Sequence, residues 1–381
     1  MCGTSSWYIG EMQVRPETKW KRDQSGKWTR VAVSSNAVAT ASAPARGSVV
    51  QPSDMPGVTY RVRIGKPLVG LAARLKVAAV ASGASIGMYR GQDVKPLWLS
   101  TPAVVKGLSM TQSTVLASLG DGRLCEYEIA SGKPRNTSPD IGGIPFGAPL
   151  ATQDGWVVTL ESGAIVATTG QLSPKWRFIP PSGTFGFQSL QSIGRGTYVV
   201  GESMLYRLDS ASGLVNWSAE LGERGSVTPA VTAGLAVSAA TGGGITCLDA
   251  TTGKLRWRLG PEVTGSVSWS GIASAGLHII AATQQGDVIC LNRETGRFEW
   301  VRTGIGRVMF PPIGDVKHGC AVVFVQDTDA GVTAEVLGLD LRSGRTKWRA
   351  RVGNLDAAPV LTGDRLWIAS STGTLYAFDY G

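Results

Sequence analysis

The residues of this chain that could carry out chemistry are five cysteines and two histidines, together with carboxylates in short turns. A thiolate or an imidazole can act as a nucleophile, a base or a metal ligand. No two cysteines have the C-x-x-C spacing of zinc and thioredoxin-like redox sites. The histidines, His278 and His318, both lie in apolar runs. We therefore expect both to be structural residues rather than ligands.

The remaining polar residues also favour structural roles. Three cysteines lie in similar short segments, "RLCEY", "ITCLD" and "VICLN": Cys125, Cys247 and Cys290. We assign them to one position of the sequence repeat described below, where a small apolar group fits. Several aspartates lie in turns or at strand ends, where Asp accepts hydrogen bonds from nearby backbone N–H groups: Asp121, Asp249, Asp287 and Asp340. The Gly-rich segment 241–246 is not followed by a helix, so it is a hairpin turn rather than a phosphate-binding loop. The sequence predicts no catalytic residue, no cofactor and no metal, and hence no enzyme.

One sequence motif recurs along the chain and indicates the secondary-structure elements that carry these residues. It reads "DSASGLVNWSAELG" at 209–222, "DATTGKLRWRLG" at 249–260, "NRETGRFEWVRTG" at 292–304 and "DLRSGRTKWRARVG" at 340–353. The tryptophans recur about every 40 residues, a period typical of β-propellers, with a Trp-less copy around Arg135: Trp98, Trp176, Trp217, Trp257, Trp300 and Trp348. Glycines recur at one point of the turn, where a left-handed backbone requires Gly: Gly213, Gly253, Gly296 and Gly344.

Each copy predicts four short antiparallel strands, which form one blade. The last copy stops after its third strand, "LYAFD" (375–379). Residues 60–65, "YRVRIG", match the missing fourth strand, as the comparison with "WRARVG" at 348–353 shows. We predict that this N-terminal strand, with Tyr60, Val62 and Ile64, completes the last blade and closes the ring. The expected fold is all-β, an eight-bladed β-propeller of four-stranded antiparallel blades.

The fourth strand of each copy should have two different faces. Side chains alternate along a strand, so Leu255, Trp257 and Leu259 are expected to face a neighbouring blade. Arg256 and Arg258 would then face solvent. We interpret these arginines as protection of the outer edge against strand addition, rather than as an anion-binding site.

The first 57 residues form a separate region, and the propeller is assigned to residues 58–381. Residues 33–57 are rich in Ser, Ala, Pro and Gly and are typical of a linker. Residues 19–31 are basic and contain two tryptophans. Three interpretations are open for them: a small hairpin around Ser25 and Gly26, docking on the propeller, or contact with an acidic partner. Of these we expect docking.

Charge and the chain start bear on partners and compartment. A net charge of +9 on 381 residues is modest and argues against nucleic-acid binding. No uncharged apolar run reaches membrane-spanning length, and no signal peptide is visible. Cys2, followed by Gly, Thr and Ser, resembles the start of a mature bacterial lipoprotein. We expect a monomeric propeller in the cell envelope, lipid-anchored through Cys2, if a signal peptide was trimmed, and in the cytoplasm otherwise.

The phrases "CLDATTGKLRW", "CLNRETGRFEW" and "LYAFD" resemble the repeats of PQQ-like (pyrroloquinoline-quinone-type) β-propellers. The resemblance extends over about residues 60–381. The family includes quinoprotein dehydrogenases, the outer-membrane assembly lipoprotein BamB and sensor domains of some kinases, and the size and blade count are closest to BamB. The resemblance implies a non-catalytic scaffold for protein partners, with a role in the cell envelope or in outer-membrane protein assembly.

Two alternatives stay open. A quinoprotein-type enzyme or ligand sensor would bind PQQ, but the enzymes of this family use a disulfide between adjacent cysteines, and this chain has no adjacent pair. A carbohydrate-binding propeller would need exposed aromatic residues. The candidates are Trp156, Trp269, Trp367 and Phe185, although we expect Trp156 and Trp367 to be buried inside strands.

Overall fold

The basic N-terminal segment forms the predicted hairpin. In this computed structural model, β1 (Thr18–Arg22) pairs with β2 (Trp28–Ala32) in antiparallel register. The structure describes residues 18–22, 28–32, 58–66, 68–91, 93–100, 102–181, 190–225, 227–232, 234–326, 333–355 and 357–379. The turn of the hairpin and the linker 33–57 lie outside the described residues. The chain divides into two units, Met1–Val49 and Val50–Gly381, and docking of the hairpin stays a prediction.

Most of the second unit consists of consecutive four-stranded antiparallel sheets, as the repeat predicted. The first strand of this unit is β3 (Val58–Arg63). Blade 1 consists of β4 (Gly70–Arg74), β5 (Val77–Ser82), β6 (Ser85–Arg90) and β7 (Trp98–Ser100), and blade 2 of β8 (Val105–Met110), β9 (Thr114–Leu119), β10 (Leu124–Glu128) and β11 (Pro134–Thr137). Blade 3 consists of β12 (Leu150–Thr152), β13 (Gly155–Thr159), β14 (Ile165–Thr168) and β15 (Pro174–Phe178).

Blades 4 to 6 have the same strand order. Blade 4 consists of β16 (Leu190–Ile193), β17 (Gly196–Gly201), β18 (Met204–Asp209) and β19 (Val215–Glu220), and blade 5 of β20 (Ala230–Thr232), β21 (Leu235–Ala239), β22 (Ile245–Asp249) and β23 (Leu255–Leu259). Blade 6 consists of β24 (Trp269–Ala275), β25 (His278–Thr283), β26 (Val288–Asn292) and β27 (Phe298–Arg302). A short helix, α1 (Pro261–Thr264), connects blades 5 and 6.

Blade 7 differs in its innermost strand, which is divided in two. Its strands are β28 (Arg307–Val308), β29 (Ile313–Asp315), β30 (Cys320–Gln326), β31 (Thr333–Asp340) and β32 (Thr346–Gly353). Both β28 and β29 pair with β30. The break contains Pro311 and Pro312, which have no N–H group for the strand ladder.

Blade 8 closes the ring with strands from both ends of the chain. It consists of β33 (Val360–Thr362), β34 (Arg365–Ala369) and β35 (Thr374–Asp379), with β3 as its outer strand. Tyr60 lies opposite Ala377, and Val62 lies opposite Leu375. Tyr60 and Val62 are buried, and Ile64, just after β3, packs against the same core cluster and donates its N–H to the Gly373 carbonyl at 2.7 Å. The predicted closure is confirmed.

The core of the propeller lies between the blades. Each blade packs between two neighbours, so its middle strands are buried on both faces; every residue of β9 and of β17 is buried. Contacts between innermost strands connect blade 1 to blade 2, join blades 3 to 7 in succession, and join blade 8 to blade 1 through β33 and β4. In the described part of the chain, no helix has the length and apolar character needed to cross a membrane.

The recurring tryptophans and glycines form one contact between neighbouring blades. The indole Nε1 of Trp217, on the outer strand of blade 4, donates to the Ala250 carbonyl in the turn of blade 5 at 3.2 Å. Gly253 of that turn has φ +72° and lies against the Trp217 ring. The other three repeat glycines have φ between +67° and +73° and lie against a tryptophan in the same way: Gly213 on Trp176, Gly296 on Trp257 and Gly344 on Trp300. A Cβ atom added to any of these four glycines would lie 2.6 to 2.7 Å from a tryptophan ring atom.

Trp98 makes the same contact with Ile129 and Gly132 of blade 2. Tyr60 replaces the tryptophan at the closure, and its hydroxyl donates to the Asp93 carbonyl at 2.7 Å. Trp348, on the outer strand of blade 7, packs among the core residues between blades 7 and 8. The predicted repeat residues are therefore inter-blade contacts.

Between blades 2 and 3 both the tryptophan and the glycine of this contact are replaced by other residues. Asn136 takes the tryptophan position, because it lies opposite Glu126 as Trp257 lies opposite Cys247. In blade 3 the turn is one residue shorter, since Thr169 N bonds to Ser173 O, whereas Asp249 N bonds to Lys254 O. Leu172 replaces the glycine, keeps the left-handed backbone at φ +65° and is fully buried. Its side chain fills space between the blades where no indole is present.

The turns themselves are held by side-chain oxygens, as expected for Asp at these positions. Asp249 Oδ1 accepts hydrogen bonds from the backbone N–H groups of Thr251 and Thr252 and from the Thr252 hydroxyl, at 2.9 to 3.1 Å. The same arrangement recurs in three other blades, at Asp209, Asn292 and Asp340. Hydrogen bonds from Arg256 and from Thr252 hold the pKa of Asp249 below its usual value.

The expected alternation of the fourth strand is wrong at Leu255. A β-bulge at Arg256 interrupts the register, so Trp257 lies opposite Cys247 but Leu255 lies opposite Leu248. Leu255 is 56% exposed and does not share the tryptophan face. Arg256 forms an ion pair with Asp249 at 2.6 Å. Arg258 donates to the Glu220 carbonyl at 2.9 Å.

The two leucines with a left-handed backbone should respond in opposite ways to glycine. Leu75 (φ +50°) is 61% exposed, whereas Leu172 (φ +65°) is fully buried. Leu75→Gly relieves backbone strain of about 1–2 kcal/mol at little packing cost, so we expect unfolding free energy to rise by up to about 1 kcal/mol. Leu172→Gly loses core packing of about 2–5 kcal/mol, so it should destabilise by at least about 1 kcal/mol. Urea denaturation measures both, and an L172G variant as stable as the parent protein would contradict this account.

Candidate functional site

A cavity lies at one end of the propeller, where blades 8, 1 and 2 meet. Its volume is about 690 Å³. The turns between the first and second strands of these three blades contribute most of the wall, with Ile129 and Asp379 at the ends of third strands. The lining residues are Arg74, Leu75, Lys76, Val77, Gln112, Ile129, Thr362, Asp364, Arg365 and Asp379.

The turn of blade 1 presents an apolar side chain between two cations. Leu75 is largely exposed, and Arg74 and Lys76 flank it. Blade 8 fixes this turn, because the Leu75 carbonyl accepts hydrogen bonds from Trp367 Nε1 at 3.1 Å and from the Thr362 hydroxyl at 3.4 Å. The projecting leucine is thus held by the blade that closes the ring.

The cavity has a positive rim. Arg365 donates to both carboxylate oxygens of Asp379, with Nη2 2.6 Å from Oδ2, and its guanidinium lies over the Trp367 ring. This pairing is the main reason that the pKa of Asp379 is lowered. The second carboxylate of the cavity, Asp364, pairs with Lys317. The two carboxylates of the cavity are therefore both paired with cations.

The two cations of the blade 1 turn lack such partners. Neither Arg74 nor Lys76 forms an ion pair with a carboxylate in the described part of the chain, so they contribute excess positive charge next to exposed apolar surface. Such a surface fits a ligand that combines a carboxylate with an apolar group.

The four cysteines that the structure describes do not contribute a reactive thiol to this cavity. All four described cysteines are buried and free. Burial raises the pKa of Cys247 to about 12 and also raises the pKa of Cys290 and Cys320. Buried thiols with a raised pKa are poor nucleophiles.

The predicted common position of three cysteines is corrected by the register. Cys247 and Cys290 lie opposite Trp257 and Trp300. In blade 2 that position is Glu126, and Cys125 comes one residue earlier. Cys125 therefore faces blade 1 rather than blade 3, because neighbouring residues of a strand point to opposite faces.

The three described tryptophans considered for carbohydrate binding do not form an exposed platform. Trp156, Trp269 and Trp367 are all buried, and Phe185 lies outside the described residues. A sugar ring stacks on an exposed aromatic face, which these three tryptophans do not offer.

None of the predicted repeat or closure residues lines the cavity. It is built from turns that carry no motif, so the sequence analysis missed it. The available signal was the segment "ARLKVA" (73–78), in which a leucine lies between two cations at a hairpin turn. Among the described residues, the one group of three potential metal ligands lies elsewhere, in blade 6.

The fold and the inter-blade contacts define an eight-bladed β-propeller with a cavity at one end. Residues 243–381 match the family model described as "Outer membrane protein assembly factor BamB". The match covers the part of the chain that contains the end of blade 5, blades 6 and 7, and the three C-terminal strands of blade 8.

Solved structures share this architecture. BamB from Moraxella catarrhalis is 19% identical, with a TM-score of 0.67 over 85% of this chain and 99% of its own. The computationally designed protein Ika8 is 14% identical, with a TM-score of 0.69 over 85% and 100%. Quinohemoprotein alcohol dehydrogenase from Comamonas testosteroni is 12% identical, with a TM-score of 0.65 over 85% and 76%. No curated protein matches the chain. At these identities the structural likeness shows the fold alone.

Proposed function

We propose that this protein is a non-catalytic scaffold of the BamB-like type that binds a segment of a partner protein. The family match over residues 243–381 supports this proposal, because its description names an outer-membrane protein assembly factor. The same likeness favours the cell envelope as the compartment and a role in outer-membrane protein assembly. Cys2, the proposed lipid anchor, lies outside the described residues.

The observation that carries the proposal is the rigid turn of blade 1 in the cavity. An exposed leucine between two cations, with a second blade holding its backbone, is a preorganised binding surface. The partner segment we infer has an acidic residue next to an apolar one, because the carboxylate would meet Arg74 or Lys76 while the apolar side chain covers Leu75 and Val77.

Charge reversal tests this proposal. The full chain and the double variant Arg74→Glu/Lys76→Glu are each immobilised, and envelope extract of the native organism is passed over them. We expect a partner that is retained by the parent protein and is lost, at least about tenfold, with the double variant, because two like charges then oppose the acidic segment. The matched control is Lys254→Glu/Arg297→Glu, which reverses two charges in turns of blades 5 and 6 and should retain the partner.

The quinoprotein alternative gives a different result. Purified protein titrated with pyrroloquinoline quinone and calcium would then show a shifted quinone absorbance at one equivalent. Equal partner retention by the parent protein and the cavity variant would contradict the proposed binding site, and stoichiometric quinone binding would contradict the scaffold function.

A further inference from the structure

Three potential metal ligands converge in blade 6, on neighbouring strands. His278 begins β25, Cys290 lies in β26 and Glu299 lies in β27, and their ligand atoms all lie within 4.8 Å of one another. His278 Nδ1 is 2.5 Å from Glu299 Oε2, and Cys290 Sγ is 3.7 Å from the same oxygen.

The strand register explains why these side chains meet. His278 lies opposite Asn292, and Cys290 is two residues before Asn292, so both side chains point to the face that packs on blade 7. Glu299 occupies the bulge of the outer strand beside them. Its side chain is 29% exposed and that of His278 is 19% exposed, so the cluster lies at the edge of the buried core.

The Nδ1 atom of His278 faces the carboxylate of Glu299, and the expectation that His278 is structural stays a prediction. This atom is closed to solvent and forms no hydrogen bond with a described residue. Its contact with Glu299 is short but is not aligned as a hydrogen bond. A buried ring nitrogen normally has a hydrogen-bond partner or a metal.

Glu299 is also the exception at its repeat position. The bulge residues of blades 2 to 5 and blade 7 are basic or neutral: Arg135, Lys175, Asn216, Arg256 and Lys347. A carboxylate is found there in blade 6, the blade that also places a histidine and a cysteine next to the bulge.

We propose that His278 Nδ1, Cys290 Sγ and a Glu299 carboxylate oxygen form a binding site for a divalent transition metal of the zinc class. Nitrogen, thiolate and carboxylate donors are the ligands that Zn²⁺ prefers, and three protein ligands leave a fourth position for water. Zinc bonds of about 2.0–2.3 Å place ligand atoms roughly 3.3–3.8 Å apart. On binding, His278 Nδ1 and Glu299 Oε2, now 2.5 Å apart, therefore separate by about 1 Å, and the most distant ligand atoms, within 4.8 Å, approach by up to about 1 Å. The thiol proton passes to solvent as the sulfur–metal bond forms, and thiolate and carboxylate then balance the charge of the ion.

Blade 5 provides a matched control within the chain. Its equivalent positions hold Leu235, Cys247 and Arg256, because Leu235 lies opposite Asp249 as His278 lies opposite Asn292. This set has the same buried cysteine but has neither the imidazole nor the carboxylate.

Cobalt titration of the full chain tests the site. Co²⁺ bound by a thiolate gives a charge-transfer band in the near ultraviolet, and we expect this band to saturate at one equivalent and to be removed by one equivalent of Zn²⁺. Cys290→Ala should abolish the band. His278→Leu, which introduces the residue of blade 5, and Glu299→Gln should weaken cobalt binding at least about tenfold.

Two controls assign the band to this site. Cys247→Ala and Cys2→Ser should leave it unchanged, and circular dichroism shows whether each variant is folded. Because Glu299 lies partly in solvent, Glu299→Gln tests the site even if Cys290→Ala fails to fold. Absence of a band at tenfold excess cobalt would overturn the proposal, as would a band that Cys290→Ala or Glu299→Gln leaves intact.

Discussion

Deletion of residues 1–63 is expected to remove the cooperative unfolding transition of the propeller, whereas deletion of residues 1–57 should leave it in place. The longer deletion removes β3, so β35 becomes an open edge and Tyr60 and Val62 leave the core of blade 8. Burial of two such side chains contributes about 1.5–3 kcal/mol each, and each ladder hydrogen bond adds about 1 kcal/mol. The sum is comparable with the total stability of about 5–15 kcal/mol of a typical domain.

Thermal and urea denaturation of the two truncated chains measure this difference. If both unfold at the same midpoint, β3 does not hold the ring closed. Tyr60→Phe is the conservative companion, because it keeps the ring against Trp367, 5.8 Å between centroids, and removes only the hydrogen bond to the Asp93 carbonyl. We expect it to cost about 1 kcal/mol.

The pH dependence of stability gives a further check on Tyr60. Burial is the main cause that raises its pKa from 10.0 to about 12. The unfolded chain therefore ionises first, so the stabilisation from this group is complete below pH 10 and is lost as the pH rises from 10 towards 12. The Tyr60→Phe variant lacks this contribution, and its loss of stability over the same range should be smaller.

The ring could be predicted from the sequence because its closing contacts use few residue types at a fixed spacing. Each of these tryptophan rings packs against a turn glycine of the next blade, where a Cβ atom would clash with the ring. The same two residue types therefore recur together along the chain. Tyr60 was recognised because it occupies the tryptophan position of a strand with the same alternation. Local pattern and three-dimensional contact coincide at these positions.

The sequence-based predictions fail where a contact between blades uses other residue types than the repeat does, or where the backbone is irregular. Asn136 and Leu172 replace the tryptophan and the glycine together, and neither residue type suggests the other. The bulge at Arg256 adds a residue to one strand only, so strict alternation places Leu255 on the wrong face. Cys125 lies one residue earlier in its strand than Cys247 does, so the two side chains point to opposite faces.

The candidate site could not be predicted in the same way. The cavity brings together turns from blades 1, 2 and 8, whose residues include Lys76, Gln112 and Asp364. These turns are far apart in the chain and share no motif. The metal ligands His278, Cys290 and Glu299 are also separated by unequal spacings, and only strand register brings them together.

Gly253→Ala is expected to destabilise the propeller by at least about 3 kcal/mol, and Gly234→Ala by only about 1 kcal/mol. Both glycines lie in blade 5 and have a left-handed backbone, at φ +72° and +81°. An added methyl group at Gly234 meets no atom within 4 Å, so the cost is backbone strain alone. At Gly253 the new Cβ would lie 2.7 Å from Cδ2 of Trp217, which forces the indole out of its place.

The extra cost at Gly253 comes from the contact between blades 4 and 5. Displacement of the Trp217 ring breaks the hydrogen bond from its Nε1 to the Ala250 carbonyl and opens the packing against Tyr198. In a Trp217→Ala background this contact is already lost, so Gly253→Ala should then cost only about 1 kcal/mol, the same as Gly234→Ala. Urea denaturation of the four proteins of this double-mutant cycle gives the coupling free energy. A coupling near zero would mean that the glycine serves the turn alone and that the tryptophan contact does not require it.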